Sequence, residues 1–142
     1  MLSGEQAHSL DEKNRIRIPA KFKDDLGKNF VFCKGSTPCI YVLPQKAFDE
    51  LAQGFSKISF FDEEAQGALS EFMSSFYPAE EDKYGRILIP QPLREYAHID
   101  KNVVTVGVYN RLEIWSEELR AERRTKMSFA DQMKVLASRT NK

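Results

Sequence analysis

The sequence predicts an α+β, β-rich fold in which two tandem units of similar structure pack together. A nine-residue phrase occurs twice, short runs of alternating apolar and polar residues follow each copy, and apolar stripes at helical spacing come after each unit. The length of 142 residues suits one domain, or two small modules that share a core. A single unit of about 45 residues is marginal for folding alone. We therefore expect the two units to bury their strands against each other.

The repeated phrase predicts a tight turn that leads into a strand. It reads DEKNRIRIP at 11–19 and DKYGRILIP at 82–90. We expect the leading aspartate to accept hydrogen bonds from the turn backbone, and Asn14 or Gly85 to adopt a positive φ. The isoleucines that follow occupy alternate positions, so they share one strand face and leave the arginines on the other. The final proline ends each strand because it has no N–H to donate.

Each phrase is followed by the same series of predicted elements. A helical turn comes first, and two strands joined by a short connection follow it. A further strand is expected before the basic turn of each repeat. The connections at 35–38 and 109–110 carry residues typical of turns. In the first unit the helical turn ends at Gly27, whereas in the second it continues through Asp100. The predicted segments are 20–26, 30–33 and 39–43 in the first unit, and 91–100, 103–106 and 111–115 in the second.

Further helices are predicted by apolar residues at helical spacing, with Pro44, Asp62, Ser116 and Ser128 at the entries. The stripe that begins at Asp62 should end at Pro78, and all stripes are expected to face the core or another subunit. Their members are Phe48, Leu51, Ala52 and Phe55, then Ala65, Leu69, Phe72, Met73 and Phe76, then Phe129, Met133, Leu136 and Ala137. The predicted organisation is a first unit at 5–47, a helical linker at 48–76, a second unit at 77–119 and a C-terminal helical segment at 120–142.

Composition limits where the chain can act. Charged residues make up 30% but cancel to a net charge of zero, so any nucleic-acid site must come from local clustering. The N-terminus has no apolar signal core, and no run of 18 apolar residues occurs, which predicts a soluble cytoplasmic protein. Cys33 and Cys39 flank a hairpin loop. A bridge between them is geometrically conceivable, but free and partly buried thiols are expected in the cytoplasm.

Residue patterns typical of enzymes are absent from the sequence. The seven glycines are scattered singly, so no phosphate-binding loop is present. His8 and His98 have no sequence relation to a nucleophile or to a paired metal ligand. Adjacent carboxylates such as Glu63-Glu64 and Glu117-Glu118 resemble solvated faces and helix starts. We therefore expect no enzymatic activity, no metal, no cofactor and no small-molecule substrate.

The first repeated turn is rich in basic residues. Its cations are Lys13, Arg15, Arg17, Lys21 and Lys23. Arg15 and Arg17 share a strand face, so they can present two guanidinium groups that match phosphates and the guanine edge. The second turn carries Lys83 and Arg86, with Arg94 further on, beside the acidic run at 80–82. The alternative is that these arginines pair with neighbouring acids and only solvate the surface.

The pattern Asp-x-x-[Asn/Gly]-Arg-Ile-x-Ile-Pro, followed by a helical turn and two strands, resembles the swapped-hairpin AbrB-like DNA-binding domain. Two such units in one chain resemble the MraZ family, from about Gly4 through Trp115. The resemblance implies an intrachain pseudo-dimeric β-barrel with flanking helices. It also implies a bacterial transcriptional regulator of the division and cell-wall gene cluster, found in the cytoplasm and on the nucleoid. Members of the family assemble into homo-oligomeric rings and bind direct repeats near their own promoter.

The resemblance marks Arg15 as the principal contact with double-stranded DNA and Arg86 as its counterpart. Lys13 and Asn14 lie in the first turn, and Lys83 and Gly85 in the second. Arg17 joins the predicted site on charge alone because Leu88 occupies the matching position. The alternative function is an antitoxin-like module on the same fold, which would bind a partner protein without reading DNA. It would use apolar helical residues, namely Phe72, Met73 and Phe76, or Phe129 and Met133.

Overall fold

Two β-sheets and six helices make up residues 1–140, the part of the chain that the computed structural model describes. The predicted α+β, β-rich class is confirmed. The strands are β1 (Glu5–Ser9), β2 (Arg15–Arg17), β3 (Phe30–Lys34), β4 (Ile40–Pro44), β5 (Tyr77–Pro78), β6 (Arg86–Leu88), β7 (Asn102–Val108) and β8 (Arg111–Ser116). The helices are α1 (Ala20–Leu26), α2 (Gln45–Phe55), α3 (Glu63–Met73), α4 (Gln91–Tyr96), α5 (Glu117–Arg124) and α6 (Phe129–Thr140).

The two units exchange strands within one large sheet. The sheet is antiparallel and has the order β1-β7-β8-β4-β3-β5. The first strand of the first unit, β1, pairs with β7 of the second, and the first strand of the second unit, β5, pairs with β3 of the first. If each strand is replaced by its repeat counterpart, the same order is read backwards. The sheet therefore has a pseudo-twofold axis between β4 and β8.

The strands of the repeated phrase form a separate two-stranded ribbon, β2 paired with β6. Ile16 lies opposite Ile87 in this ribbon, and both side chains are buried. Pro19 and Pro90 follow closely and begin α1 and α4, so the ribbon stays short. Among residues 1–140 the large sheet keeps open edges at β1 and β5 and does not close into the barrel that the resemblance implied.

One hydrophobic core is shared by the two units. Matching positions of the repeat meet in it, including Ile16 with Ile87, and Phe22 with its counterpart Leu93. The members are Leu2, Leu10, Ile16, Ile18, Phe22, Leu26, Phe30, Phe32, Ile40, Val42, Ile87, Ile89, Leu93, Ala97, Ile99, Val103, Leu112 and Ile114. The expectation that the units bury their strands against each other is therefore confirmed.

Two predicted helix ends were wrong. Helix α3 ends at Met73, and Tyr77–Pro78 then form an edge strand against β3 rather than a helix terminus. Proline fits there because an edge position needs no N–H. Helix α4 ends at Tyr96 instead of reaching Asp100, since His98 takes a φ of 56°. The predicted caps were right at Asp62, whose side chain accepts from the N–H of Ala65, and at Ser116 and Ser128.

Helices α2 and α3 form a hairpin beside the large sheet. The Phe48 and Phe76 ring centroids are 5.6 Å apart, and those of Phe55 and Phe72 are 6.2 Å apart. Cys33 and Cys39 are free and buried, as expected, and burial raises the pKa of both thiols to about 12. None of the helices within residues 1–140 has the length and apolar content needed to cross a membrane.

Candidate nucleic-acid interface

The two repeated turns have the same hydrogen bonds. Asp11 Oδ1 accepts the backbone N–H groups of Lys13 and Arg15, each at 2.9 Å. In the second turn Asp82 Oδ1 accepts those of Tyr84 and Arg86, again at 2.9 Å. The predicted role of the aspartates is therefore confirmed. Each turn is therefore stabilised by a side chain within the turn itself.

Backbone conformation completes each turn. Asn14 has a φ of 62° and Gly85 a φ of 78°, as predicted for the residue before the strand. Only a few residue types occupy this left-handed region at low cost, and glycine and asparagine are among them. The Asn14 carbonyl also accepts the N–H of Ile89, which connects the first turn to the second unit. Asn14 and Gly85 therefore supply the backbone conformation that the two turns require.

Each arginine after a turn is anchored by the aspartate of its own turn. Arg15 Nε donates to Asp11 Oδ2 at 2.7 Å, and Arg86 Nε donates to Asp82 Oδ2 at the same distance. About a quarter of each arginine side chain is exposed, 25% for Arg15 and 26% for Arg86. The sequence favoured outward guanidinium groups, and the alternative was pairing with acids. The structure combines the two, because each close pairing uses Nε at 2.7 Å, Arg15 Nη1 also lies 3.9 Å from Asp82 Oδ2, and both side chains remain partly exposed.

The turn aspartates carry negative charge that offsets the charge of the arginines. The N–H of Arg15 is the main cause that lowers the pKa of Asp11, and the N–H of Arg86 is the main cause that lowers the pKa of Asp82 to about 2. Both carboxylates are therefore ionised at neutral pH, and together they offset the charges of the two guanidinium groups. The positive excess must come from other cations. Lys23 is not one of these, because its Nζ lies 3.3 Å from Glu81 Oε2.

A cleft of about 950 Å³ lies at the turns and collects most of the predicted residues. It is lined by both turns, by the strand β1 and by the start of α1. The lining includes Lys13, Arg15, Arg17, Gly85 and Arg86. Asn14 and Lys83 do not line it, and the Lys83 Nζ instead lies 5.1 Å from the Tyr84 ring centroid.

Sequence reasoning missed two residues of the cleft. His8 reaches it from β1, where its Nε2 lies 2.7 Å from Thr105 Oγ1 and burial lowers its pKa. No sequence signal placed β1 against β7, so this position was not foreseeable. Tyr84 is 56% exposed, and the guanidinium group of Arg86 lies 4.8 Å from the centroid of its ring. The repeat itself is the signal for Tyr84, because it occupies the position of Lys13.

Three arginines, Arg15, Arg17 and Arg86, lie on the outer face of the ribbon. Since Ile16 and Ile87 point into the core, the residues on either side of them point outward. Arg17 lies opposite Arg86, and Arg15 lies opposite Leu88. Like charges directly opposite each other on paired strands are unfavourable. Asp82, which is paired with Arg86 at 2.7 Å, offsets part of that repulsion, and an anion between Arg17 and Arg86 would relieve the rest. A two-stranded ribbon has the size to enter the major groove of DNA.

Comparison with known proteins identifies the family. A family profile described as "MraZ protein, putative antitoxin-like" matches residues 1–70 and 75–138. A "Transcriptional regulator MraZ" from Carboxydothermus hydrogenoformans is 42% identical over 119 residues, which cover 84% of this chain and 83% of the relative. Proteins of the same name from Clostridium acetobutylicum (42% identical, 83% of each chain) and Moorella thermoacetica (43% identical, 82% of this chain and 81% of the relative) are similar. The chain belongs to the MraZ family.

Proposed function

We propose that this chain is a sequence-specific transcriptional regulator that binds double-stranded DNA through the outer face of the β2–β6 ribbon. The observation that carries the proposal is the register of the ribbon, which sets Arg17 opposite Arg86 and adds Arg15 on the same face. The curated relatives are transcriptional regulators by name. The expectation that the chain is not an enzyme is confirmed by its family.

The turns and the ribbon have different tasks in this proposal. The ribbon arginines read base edges, since a guanidinium group can bond O6 and N7 of guanine together. Lys13 and Lys83, both exposed at the turns, contact phosphates and set the position of the protein. Asn14 and Gly85 supply the backbone conformation that aims the arginines. Because the turns are already rigid, little conformational freedom is lost when DNA binds.

A net charge of zero requires several subunits to act together. Two of the five cations in the repeated phrases, Arg15 and Arg86, are paired with turn aspartates, and Glu80 and Glu81 weaken the field around the second turn. A ring-shaped homo-oligomer would present one ribbon per subunit to successive direct repeats of a promoter, and the linked contacts would multiply affinity. We propose that this promoter lies at the division and cell-wall gene cluster and that the protein acts in the cytoplasm, on the nucleoid. The units remain those proposed from the sequence, 5–47 and 77–119.

The direct test is a gel-shift assay with the DNA upstream of the chain's own gene. Arg15→Ala and Arg86→Ala should each weaken binding by about 10- to 100-fold, the value of one good contact between an arginine and a base. Arg139→Ala removes the same charge from the exposed helix α6 and should leave binding unchanged. Circular dichroism and sedimentation should be the same for all three variants. Full affinity in the Arg15 variant would contradict the proposal.

Salt dependence separates phosphate contacts from base contacts. Affinity should fall linearly on a plot of log affinity against log salt, with a slope of about −0.9 for each neutralised phosphate. Lys13→Ala should make that slope shallower by about 0.9 for each subunit in contact with DNA. A slope near zero in the wild type would point to a ligand other than a polyanion.

A second candidate is the antitoxin-like protein-binding module. Helix α6 favours it, because Phe129 is 74% exposed and Leu136 is 56% exposed. Phe72 and Phe76 are less suitable, since they pack within the α2–α3 hairpin. Under this candidate, Phe129→Ser would abolish a defined complex with a partner protein, and Arg15→Ala would not. If the wild type bound no upstream DNA but formed such a complex, the second candidate would replace the first.

A further inference from the structure

The outward face of the ribbon differs between the two units at one position. Arg17 of the first unit and Leu88 of the second occupy the same place in the repeated phrase. Leu88 is 60% exposed although it lies on a strand whose other face is fully buried. A large apolar side chain beside the arginines of the ribbon gains nothing from water, and a phosphate offers it no favourable contact. Its exposure leaves it available to an apolar group of a ligand that binds this face.

The register makes the ribbon face chemically directional. At one end Arg17 and Arg86 lie opposite each other, and at the other end Leu88 lies opposite Arg15. One end therefore offers two guanidinium groups, and the other offers one guanidinium group and an isobutyl group. The difference continues in the turns, where exposed Lys13 in the first unit corresponds to exposed Tyr84 in the second.

We infer that Leu88 is a specificity-determining residue that contacts the 5-methyl group of a thymine in the major groove. This inference rests on the proposed binding of DNA by the ribbon. The thymine methyl is the apolar group that the major-groove edges display, and aliphatic side chains recognise it. Outward residues two positions apart on a strand are separated by about 6.7 Å. That is about two base-pair steps of 3.4 Å, so Arg86 and Leu88 address bases two steps apart.

The same difference fixes the orientation of the chain on DNA. A ribbon with identical units would bind equally well in both orientations and would select a palindromic site. With Arg17 and Leu88 at the two equivalent positions, one orientation places the leucine on thymine and the other places it where an arginine is required. The ribbon therefore selects a non-palindromic site, which is the kind of site that can be repeated in one direction.

The test begins with selection of duplexes from a random library by the full-length wild-type chain. Each thymine of the best duplex is then replaced in turn by deoxyuridine, which removes the methyl group and nothing else. At one position the replacement should weaken wild-type binding about fourfold, the value of burying one methyl-sized group. Leu88→Ala should bind the thymine duplex about fourfold more weakly than the wild type does. Replacement of that thymine by deoxyuridine should not weaken the binding of Leu88→Ala any further. Leu51→Ala, at an exposed leucine in α2, should behave as the wild type.

A second variant tests orientation. Leu88→Arg gives the two units the same outward ribbon residues, so its selected duplexes should become palindromic at the bases beneath the ribbon, and an unchanged asymmetry at those bases would contradict the role of Leu88 in orientation. In another outcome, the wild type selects a defined sequence, and every deoxyuridine replacement that weakens its binding weakens the binding of Leu88→Ala equally. That outcome would overturn the inference about Leu88 and leave the proposed function standing. If the wild type selects no sequence at all, the proposed function fails and this inference fails with it. Leu88 is exposed, so circular dichroism should show every variant folded.

Discussion

At the scale of single residues, one carboxylate in each turn both fixes the backbone and orients an arginine. Asp82 accepts two backbone N–H groups and the Nε–H of Arg86. Asp11 accepts two backbone N–H groups of its own turn and the Nε–H of Arg15. Such an anchor restricts the arginine before any ligand arrives, which reduces the conformational entropy lost on binding. Replacement of the anchor should therefore affect stability and DNA affinity together, whereas Arg15→Ala should affect affinity alone.

The pKa of Asp82, lowered to about 2 from its ordinary value of 3.8, predicts acid sensitivity. A carboxyl group whose pKa is lower in the folded state stabilises the fold above its unfolded pKa, and the contribution is lost as the pH falls through the folded pKa. The free energy of unfolding should therefore decline between pH 4 and pH 2. Urea unfolding at pH 5, 4, 3 and 2 measures it. Asp82→Asn should decline less than the wild type, and equal declines would show that the carboxylate contributes nothing.

The left-handed residues of the turns give a matched pair of variants. Gly85→Ala should destabilise the fold by about 1–2 kcal/mol, because alanine resists a φ of 78°. Space is not the reason, since the nearest atoms to an added Cβ are side-chain ends at 3.7 and 3.8 Å. Asn14→Gly should change stability by less than about 0.5 kcal/mol, because glycine accepts the same conformation and loses only some rigidity. Thermal unfolding measures both, and the reverse order of stability would contradict the predicted strain.

The repeated phrase made much of this residue chemistry predictable. Asparagine or glycine before an arginine, three residues after an aspartate, specifies a turn by local rules alone, and Asn14 and Gly85 obey them. The Nε pairing of Arg15 was less predictable, because the sequence permitted both an outward and a paired guanidinium. His8 could not be foreseen at all, since its place in the cleft depends on a strand pairing between the two units.

At the scale of elements, the close approach of the N-terminus to β7 predicts a strong effect at Gly107. A Cβ there would lie 2.4 Å from the backbone nitrogen of Ser3. Because backbone cannot move aside as a flexible side chain can, Gly107→Ala should destabilise the chain by about 1–3 kcal/mol. Gly67→Ala is the control, since an added Cβ in α3 meets no atom within 4 Å and alanine favours a helix by about 1 kcal/mol. Urea unfolding should therefore move the two variants in opposite directions.

The end of α3 shows why element boundaries were harder to predict than element types. The apolar stripe continues to Phe76, whose ring centroid lies 4.9 Å from that of Phe72, although the helix has already ended at Met73. A side chain can continue to pack on the same cluster after the backbone has turned away. Periodicity therefore extended the helix too far. The repeat predicted a strand before each basic turn, and the two-residue strand at Tyr77–Pro78 is that element in the second unit.

At the scale of the whole molecule, the repeat predicted a shared core but could not specify strand exchange. The alternation of residues between the two faces of β1 is the same whether this strand pairs within its own unit or with β7 of the other unit. The swapped arrangement was expected from the family resemblance, and the pairing of β2 with β6 agrees with it. The implied barrel does not close within residues 1–140, because β1 and β5 remain edges of the large sheet. Long-range pairing of this kind is decided by tertiary packing rather than by local pattern.

Strand exchange makes the two units depend on each other for folding. The isolated segment 1–47 keeps the β3–β4 hairpin but loses β7 as the partner of β1, β6 as the partner of β2, and β8 as the partner of β4. At fewer than about 60 residues it also buries too little apolar surface to compensate. It should therefore be unfolded as a monomer, and any folded fraction should be a dimer in which a second copy supplies the missing strands. Circular dichroism and sedimentation at increasing concentration measure both properties, and a folded monomer of 1–47 would show that the units are independent.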